Sequence, residues 1–155
     1  MLTQFLALLA WSEGTVNNTL TVNHGYDVIV SGPFGPEVFT DYSRHPFQGR
    51  PAKLVRPGLY STASGRYQLL HHYWMNYKAL LNLPDFGPSS QDAVAIQQIR
   101  ERGAVTRVMT GDVAGAITLC SNIWASLPGN TYDQHAHTMN ALLAQWAILN
   151  KGVTP

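Results

Sequence analysis

Glu13 is the residue of the first helical segment whose type and position could support chemistry. The apolar residues of that segment recur at helical spacing, and the next position of the same stripe falls on Glu13. The stripe consists of Leu2, Phe5, Leu6 and Leu9. Gly14 follows and is a typical helix-ending residue, so the sequence predicts Glu13 in the last helical turn.

Two physical effects should raise the pKa of the Glu13 carboxyl group. An apolar surround disfavours the charged form, and the negative end of the helix dipole repels it. A carboxylic acid that keeps its proton near neutral pH can protonate a leaving oxygen, as general acids do in glycosidic bond cleavage. A surface glutamate that merely closes a helix would give the same pattern.

Composition sets the class of protein. The 155 residues are 45% hydrophobic and 12% charged, which predicts one domain over residues 1–155 with a core that needs no disulfide. Cys120 is the single cysteine and lies in an apolar helical pattern, so we interpret it as a buried small hydrophobe. The formal net charge of +1 argues against a nucleic-acid-binding surface.

No apolar run in the sequence is long enough to span a membrane, so stable membrane insertion is not expected. The apolar run at the N-terminus is short, lacks a basic start and ends at Trp-Ser-Glu. Because a secretory signal ends in small residues at a cleavage site, we do not interpret this run as a signal peptide.

A small antiparallel sheet is predicted after the first helix. Residues 26–30 and 38–42 read as strands, and the Gly- and Pro-rich segment 31–37 joins them as a hairpin with an enlarged tip. Residues 53–56 could add a short third strand.

The remainder of the chain reads as helical. A second helix is predicted to start within 61–65 and to stop at Pro84, with an apolar face formed by Tyr67, Leu70, Trp74, Tyr77 and Leu81. A third should run from Ser89 to Gly103, and a fourth from Asp112 through Ile123 and Trp124 until Pro128-Gly129. A last helix should place Met139, Leu142, Leu143 and Trp146 inward. Helix, small sheet and several further helices indicate an α+β domain.

Seven segments, in order, resemble the family of endolysins of the bacteriophage lambda type. They are LAWSEGT (9–15), NHGYDVIV (23–30), FTDYS (39–43), ST (61–62), GRYQLL (65–70), SQDAVA (90–95) and SNIWASLPG (121–129). The resemblance runs from about Phe5 to Gly129 and is weaker beyond. Segment 31–52 departs from the family pattern by extra Gly, Pro and Phe residues, which would change how far one lip of a substrate cleft reaches.

The resemblance implies a lysozyme-like α+β fold that is mostly helical, with a small antiparallel sheet or hairpin forming one lip of a substrate cleft. It also implies a peptidoglycan lytic transglycosylase, which cuts the β-1,4 bond between N-acetylmuramic acid and N-acetylglucosamine without adding water. The family's catalytic glutamate lies in a Ser-Glu-Gly-Thr motif, which carries over onto Glu13. On this reading Glu13 is both the acid and the base, and one carboxylate is enough.

A hydrolase is the alternative enzyme, and it would need a second carboxylate as nucleophile or base. Asp27 is the best candidate and Asp41 the next, although Asp27 could instead position substrate or simply bind a loop. We predict that Asp27 and the neighbouring Tyr26 contact substrate. A third possibility is a binding module without turnover, although such a module has no need to bury an acid at position 13.

Gly65 and Gln68 form a Gly-X-X-Gln element similar to one that recurs near the active site of lytic transglycosylases. A glycine would allow the sugar to approach the backbone, and the Gln68 amide can donate and accept hydrogen bonds, so we predict both as substrate-binding. Capping and helix packing are the structural alternative. Asn122 and Tyr132 are further substrate-binding candidates, the first as a polar residue in an apolar stretch and the second as a loop aromatic that could stack on a sugar.

No metal or other cofactor is predicted. The pairs His71-His72 and His135-X-His137 lack the helical spacing of zinc ligands. The resemblance implies peptidoglycan strands as the partner, production in the host bacterial cytoplasm, and action in the periplasm after a separate holin-type membrane protein permits release. We expect a monomer.

Overall fold

The computed structural model describes residues 1–130 and 136–151 of the chain. The described helices are α1 (Leu2–Ser12), α2 (His71–Leu81), α3 (Pro88–Glu101), α4 (Val105–Met109), α5 (Val113–Cys120) and α6 (Met139–Leu149), with a 3₁₀ turn at Thr15–Asn17. The described strands are β1 (Val28–Gly32), β2 (Gly35–Val38), β3 (Lys53–Arg56) and β4 (Leu59–Ser61). These elements confirm the α+β class.

The chain divides into two compact units. The first consists of residues 1–13 and 95–155, and the second of residues 14–94. Helix α3 contributes residues to both units. The prediction of a single domain over 1–155 stays a prediction. None of the helices in the described ranges has both the length and the apolar character needed to cross a membrane.

The first unit is built around α1, whose apolar residues fill its core. Helix α1 packs against α4 and α6, and α5 packs against α4 and α6 in turn. Phe5, Leu8 and Leu9 of α1 are fully buried, as are Val108, Ile117 and Leu142 of the helices around them. The predicted apolar stripe therefore lies in a core, because burying these side chains removes the most apolar surface from water.

Helix α1 ends where the sequence predicts. Glu13 is the C-terminal capping residue, and its backbone N–H donates to the carbonyl oxygen of Leu9 at 2.9 Å. Gly14 then adopts φ +71°, a left-handed conformation that favours glycine. The chain thus leaves the helix immediately after the carboxylate.

The second unit carries two small antiparallel sheets. Strands β1 and β2 pair Val28 with Val38, and β3 and β4 pair Lys53 with Ser61. A Cβ atom on Gly32 would lie 2.2 Å from the carbonyl oxygen of Leu54, so only glycine lets β1 approach β3 this closely. The second predicted strand, 38–42, is wrong in position because pairing with β1 selects Gly35–Val38, and β4 was not predicted.

The predicted start of the second helix within 61–65 is wrong. Helix α2 begins at His71, because Gly65 and Gln68 have φ of +79° and +49°, which no right-handed helix accommodates. Ser64 and Leu69 exchange two backbone hydrogen bonds of 3.1 and 2.9 Å and close residues 64–69 into a loop. Tyr67 therefore lies in this loop and not on a helix face.

Two other predicted boundaries need correction in the first unit. Helix α5 stops at Cys120 and does not reach Trp124, which follows in a turn where the Ser121 hydroxyl donates to the Thr118 carbonyl. In α6, Leu142 is fully buried, but Leu143 is exposed and does not face the core as predicted.

Candidate active site

The Glu13 carboxyl group has the environment expected of a general acid. The residue is half-buried at the C-terminus of α1, and burial raises its pKa to about 7, against a smaller opposing effect of hydrogen bonds with Ser126. Because a general acid works best with a pKa near the working pH, Glu13 has the proton affinity that the sequence analysis predicts.

Two buried serine hydroxyls form a line of hydrogen-bonding contacts that starts at this carboxyl group. Oγ of Ser126 lies 2.6 Å from Oε1 of Glu13 and 3.0 Å from Oγ of Ser12. The Ser12 hydroxyl in turn lies 2.8 Å from the carbonyl oxygen of Leu9, to which it can donate. Glu13, Ser126, Ser12 and Leu9 are therefore linked in one line of contacts within the first unit.

Backbone and ring contacts of His137 hold this line in place. The His137 N–H donates to the Ser126 carbonyl at 2.8 Å, and Nε2 lies 3.2 Å from the Ser12 carbonyl oxygen. The His137 ring also lies against Trp11, with centroids 4.6 Å apart. The Asn130 amide donates to the carbonyl of Ala125 at 2.8 Å and closes the turn that carries Ser126.

Asp27 lies in the second unit, where its side chain binds a loop. The residue is 1% exposed, and its two carboxylate oxygens accept from the Thr21 hydroxyl and from the Val22 N–H, the latter at 2.9 Å. The Thr21 oxygen in turn accepts from the Gly25 N–H at 2.8 Å. These contacts favour the loop-binding interpretation of Asp27 over a second catalytic carboxylate or a direct contact with substrate.

Tyr26 and Tyr67 share one carboxylate. Their hydroxyl groups donate to Oδ1 of Asp92 at 2.8 and 2.7 Å, and the two rings meet edge to face with centroids 6.4 Å apart. Burial and the Asp92 charge raise the pKa of both tyrosines. The Arg66 guanidinium lies 5.0 Å from the Tyr26 ring centroid. This part of the second unit therefore combines aromatic rings with a cation and a carboxylate that contact them.

Gly65 is fixed by a close neighbour as well as by its backbone. A Cβ atom there would lie 2.2 Å from Oε1 of Gln91, and the glycine has φ +79°. Gln91 is 3% exposed and uses both ends of its amide: Oε1 accepts from the Arg66 N–H, and Nε2 donates to the carbonyls of Tyr26 and Phe86. The positive φ and the nearby Gln91 side chain therefore explain why position 65 is a glycine. A role of Gly65 in sugar binding stays a prediction.

Gln68 turns its amide back onto its own loop. Nε2 donates to the Gly65 carbonyl at 3.0 Å, and the side-chain oxygen is the group that could face a ligand. Arg66 donates to the His24 carbonyl and so joins the loop 64–69 to the loop that precedes Tyr26. The structure thus brings Tyr26, Gly65 and Gln68 into one connected cluster of the second unit.

The two remaining candidates lie elsewhere. Asn122 is exposed in the turn after α5, in the first unit, and its substrate-binding role stays a prediction. Tyr132 lies outside the described residues. Within residues 1–130 and 136–151, no three His, Cys, Asp or Glu side chains come close enough together to hold a metal ion.

The sequence analysis did not single out Ser12, Ser126, Gln91 or Asp92. All four stand inside segments that carry the family resemblance, which was the only available signal for them. Periodicity could not reveal them, because each acts through a partner distant in sequence; Ser126 and Glu13 are 113 positions apart.

The fold places the chain among the lysozymes. The structure of bacteriophage lambda lysozyme complexed with a chitohexasaccharide matches with a TM-score of 0.89 and 52% identity, covering 96% of this chain and 93% of that one. A second structure of lysozyme from bacteriophage lambda matches with a TM-score of 0.83 and 50% identity, covering 96% and 92% of the two chains. These matches confirm the predicted lysozyme-like fold.

Sequence comparison gives the particular family. The chain is 57% identical over 145 residues to the endolysin of Escherichia phage P2, covering 92% of this chain and 88% of that protein. It is 54% identical over 143 residues to the endolysin of Escherichia phage lambda, covering 92% and 86%. Residues 3–152 match the endolysin family profile. The chain belongs to the endolysin family, and the predicted resemblance is confirmed.

Proposed function

We propose that this endolysin degrades bacterial peptidoglycan as a lytic transglycosylase, with Glu13 as the single catalytic acid and base. The observation that carries the proposal is one carboxyl group with a pKa raised to about 7 at the end of α1, next to a hydroxyl that can either donate or accept. The lambda lysozyme to which the chain is similar was solved with a chitohexasaccharide, which supports a β-linked amino-sugar chain as substrate.

The proposed reaction balances without water. Protonated Glu13 gives its proton to the glycosidic oxygen as the bond from that oxygen to C1 of N-acetylmuramic acid breaks. The C6 hydroxyl oxygen of the same sugar then bonds to C1, and its proton passes to the Glu13 carboxylate. The products are a free 4-hydroxyl on one fragment and a 1,6-anhydro ring on the other, and Glu13 regains its starting form.

Hydrolysis is the alternative, and the position of Asp27 argues against it. A hydrolase needs a second carboxylate as nucleophile or to activate water. The Asp27 carboxylate is 1% exposed and each of its oxygens already accepts a hydrogen bond from its own loop, so it lacks the exposure that such a role requires.

Substrate binding by the second unit is part of the same proposal. Tyr26, Gly65 and Gln68 belong to one connected cluster, in which Arg66 and Tyr67 add a cation and an aromatic ring. Rings and amides of this kind suit N-acetylated sugars, because ring faces pack on C–H groups and amides pair with acetamido and hydroxyl groups.

Mass spectrometry of the muropeptides released from Gram-negative peptidoglycan tests the proposal. We expect products with 1,6-anhydromuramic ends, lighter by one water than reducing ends, and none from Glu13→Gln. Glu101→Gln is a matched control, because this glutamate lies at the exposed end of α3 and bonds Gln97. Reducing ends would show a hydrolase, and no release by folded protein would leave only a binding module.

The place of action is also proposed. Family membership supports accumulation in the host cytoplasm as a monomer, with release to the wall through a holin-type membrane protein. Fractionation of infected cells before and after membrane permeabilisation tests this. Endolysin that reaches the periplasm without a permeabilising protein would contradict it.

A further inference from the structure

The contacts that join Glu13 to Ser126, Ser12 and Leu9 contain more hydrogen-bonding positions than the two serines can fill. Three oxygen pairs lie within hydrogen-bonding distance, at 2.6, 3.0 and 2.8 Å along the line. The Leu9 carbonyl at one end can only accept. Three hydrogen bonds need three hydrogens, whereas two serine hydroxyls supply two.

Protonated Glu13 supplies the third hydrogen. In that form Glu13 donates to Ser126, Ser126 donates to Ser12, and Ser12 donates to the Leu9 carbonyl, so every contact is a hydrogen bond. When Glu13 is ionised, its carboxylate can only accept, and the Ser126 hydrogen must point to it. Ser12 keeps its bond to Leu9, and the contact between the two serines loses its hydrogen.

We propose that Ser126 and Ser12 form a hydroxyl pair that sets the proton affinity of Glu13 from opposite sides: Ser126 stabilises the carboxylate by donating to it, and Ser12 stabilises the carboxylic acid by accepting from Ser126. Both are positioning residues, since they act through Glu13. The inference rests on the proposed function for its role in turnover, where one group must be an acid in the first step and a base in the second.

A hydroxyl is a suitable hydrogen-bonding partner for a carboxyl group that must act first as an acid and then as a base. The Ser126 backbone N–H, which also bonds Glu13, serves only the carboxylate, and a carbonyl would serve only the acid, whereas the Ser126 hydroxyl reverses its direction with each proton transfer. Both serines are buried, so water competes little for these contacts.

Among the described residues, the elements that surround the hydroxyl pair carry few charged or titratable groups. Helices α1 and α6 and the turn 121–130 carry no charged residue, and α5 carries only the thiol of Cys120 as a titratable group. His137 is the titratable residue in contact with the pair, through its N–H to Ser126 and its ring to the Ser12 carbonyl. Arg107 belongs to α4, where it pairs with Asp112.

The test is a titration of Glu13 in the free protein by carbon-13 NMR of the glutamate carboxyl groups. The chain has three glutamates, Glu13, Glu37 and Glu101, and Glu13→Gln assigns the signal. Histidine and glutamate carbons resonate apart, so titration of His137 is followed separately. The experiment uses no glycan and therefore decides the inference even if the muropeptide products contradict the proposed function.

We expect Ser126→Ala to raise the pKa of Glu13 by about 1, because a hydrogen bond to a charged group is stronger than one between neutral groups. Ser12→Ala should lower it by about 0.5, because the Ser126 hydroxyl then has no acceptor when Glu13 is protonated. Ser126→Thr keeps the hydroxyl and should leave the value within a few tenths. Ser126→Cys keeps the shape with a weak donor and should repeat the rise.

Ser121→Ala is the matched control. The Ser121 hydroxyl donates to the carbonyl three residues earlier, at 2.9 Å, as Ser12 does at the end of α1, but it belongs to the end of α5. It should leave the pKa of Glu13 unchanged. Shifts of the same sign in Ser12→Ala and Ser126→Ala, or no shift in either, would overturn the hydroxyl pair. In lysis assays the alkaline limb of kcat/KM should move with the measured pKa, with KM unchanged.

Discussion

At the scale of single residues, Glu13 shows how the end of a helix can give a carboxyl group the proton affinity that a general acid needs. The apolar stripe of α1 fixes where the carboxyl group lies, burial raises its pKa, and Ser126 limits the rise. The result is a carboxyl group that keeps its proton to a higher pH than an exposed glutamate does. Its proton affinity therefore has a direct consequence for the pH dependence of catalysis.

We expect kcat/KM for release of muropeptides to fall as pH rises through about 7. In the proposed mechanism only protonated Glu13 protonates the glycosidic oxygen, so well above this pH each further unit should lower the rate about tenfold. Initial rates on soluble glycan strands between pH 3 and 9 measure the limb. Glu101→Gln should keep the same midpoint, and an alkaline limb near pH 4.5 would show that Glu13 has an unshifted pKa.

Gly65 allows a sharp prediction for the second unit. Gly65→Ala should lower the free energy of unfolding by about 3 kcal/mol, because a left-handed alanine is strained and the new Cβ displaces the buried Gln91 amide from its partners. Gly58→Ala has nearly the same φ, +78°, with no atom within 4 Å of the new Cβ, and should lower it by about 1 kcal/mol.

Urea unfolding of the two glycine variants measures the difference. Equal losses would mean that strain alone matters and that Gln91 moves aside without penalty. A selective loss at Gly65 would show that the Gln91 hydrogen bonds to the backbone of Arg66 and Tyr26 stabilise the loop 64–69.

The site residues differ in how far the sequence alone could reveal them. Glu13 was predictable because helical periodicity places it on the core face, and Gly14 marks the end of the helix. Asp92 could not be predicted from the pattern, since its partners Tyr26 and Tyr67 are 66 and 25 residues away. The role of Asp27 was left open because a strand pattern does not say whether a carboxylate faces a cleft or its own loop.

At the scale of elements, the sequence predicted strong helices well and boundaries at tertiary contacts poorly. Helix α3 begins one residue before the predicted Ser89, and the Asp112 side chain caps α5 as expected, accepting from the Gly115 N–H at 3.0 Å. Helix α2 starts later than predicted because Gln68 has a positive φ in the loop 64–69. That loop is shaped by its contacts with Gln91 of α3, which lies far away in sequence. Strand β2 shifted because the pairing partner, and not propensity, sets a strand's ends.

The start of α6 links helix stability to the candidate active site. Thr138 caps this helix by accepting from the Ala141 N–H at 3.2 Å, and the preceding residue, His137, binds the Ser126 carbonyl. Thr138→Ala should lower the free energy of unfolding by about 1 kcal/mol. Thermal unfolding measures the loss, and Thr138→Ser, which keeps the capping oxygen, should retain most of the stability.

The Thr138 variants also report on the hydroxyl pair. Because His137 holds Ser126 through its backbone, a looser start of α6 should weaken the contact between Ser126 and Glu13 and lower activity in Thr138→Ala more than in Thr138→Ser. Activity that is unchanged despite the lost stability would show that the turn of Ser126 is held without α6.

At the scale of the whole molecule, one fully buried group and one half-buried group have pKa values shifted in opposite directions. His45 in the second unit is fully buried; its Nε2–H donates to the Leu69 carbonyl at 3.0 Å and its Nδ1 accepts from the Phe47 N–H at 3.2 Å. Both nitrogens are satisfied only in the neutral ring, and burial lowers the pKa of His45 from 6.5 to about 4. Glu13, in the first unit, has its pKa raised from 4.5 to about 7.

These two shifts should cancel in the pH dependence of stability. Between pH 4.5 and 6.5 the unfolded chain holds one more proton at His45, so stability rises with pH, and one fewer at Glu13, so stability falls with pH. The lowered pKa of Glu37, about 2, makes stability rise with pH mainly below this window. The free energy of unfolding of the natural chain should therefore be nearly flat from pH 4.5 to 6.5, provided that residues 1–155 unfold in one transition.

Glu13→Gln removes the contribution of Glu13 to the pH dependence of stability and leaves that of His45. Its free energy of unfolding should rise by about 2 kcal/mol from pH 4.5 to 6.5, because each unit of pH across a full proton difference changes stability by about 1.4 kcal/mol and the difference at His45 is less than one proton at both ends of this range. Above pH 7 the variant should be more stable than the natural chain, since the folded state no longer holds a buried carboxylate. Urea unfolding at several pH values measures this, with Glu101→Gln expected to stay flat.

Coincident circular-dichroism and tryptophan-fluorescence transitions would also confirm the predicted single domain. A flat profile in Glu13→Gln would mean that His45 keeps an ordinary pKa despite its burial.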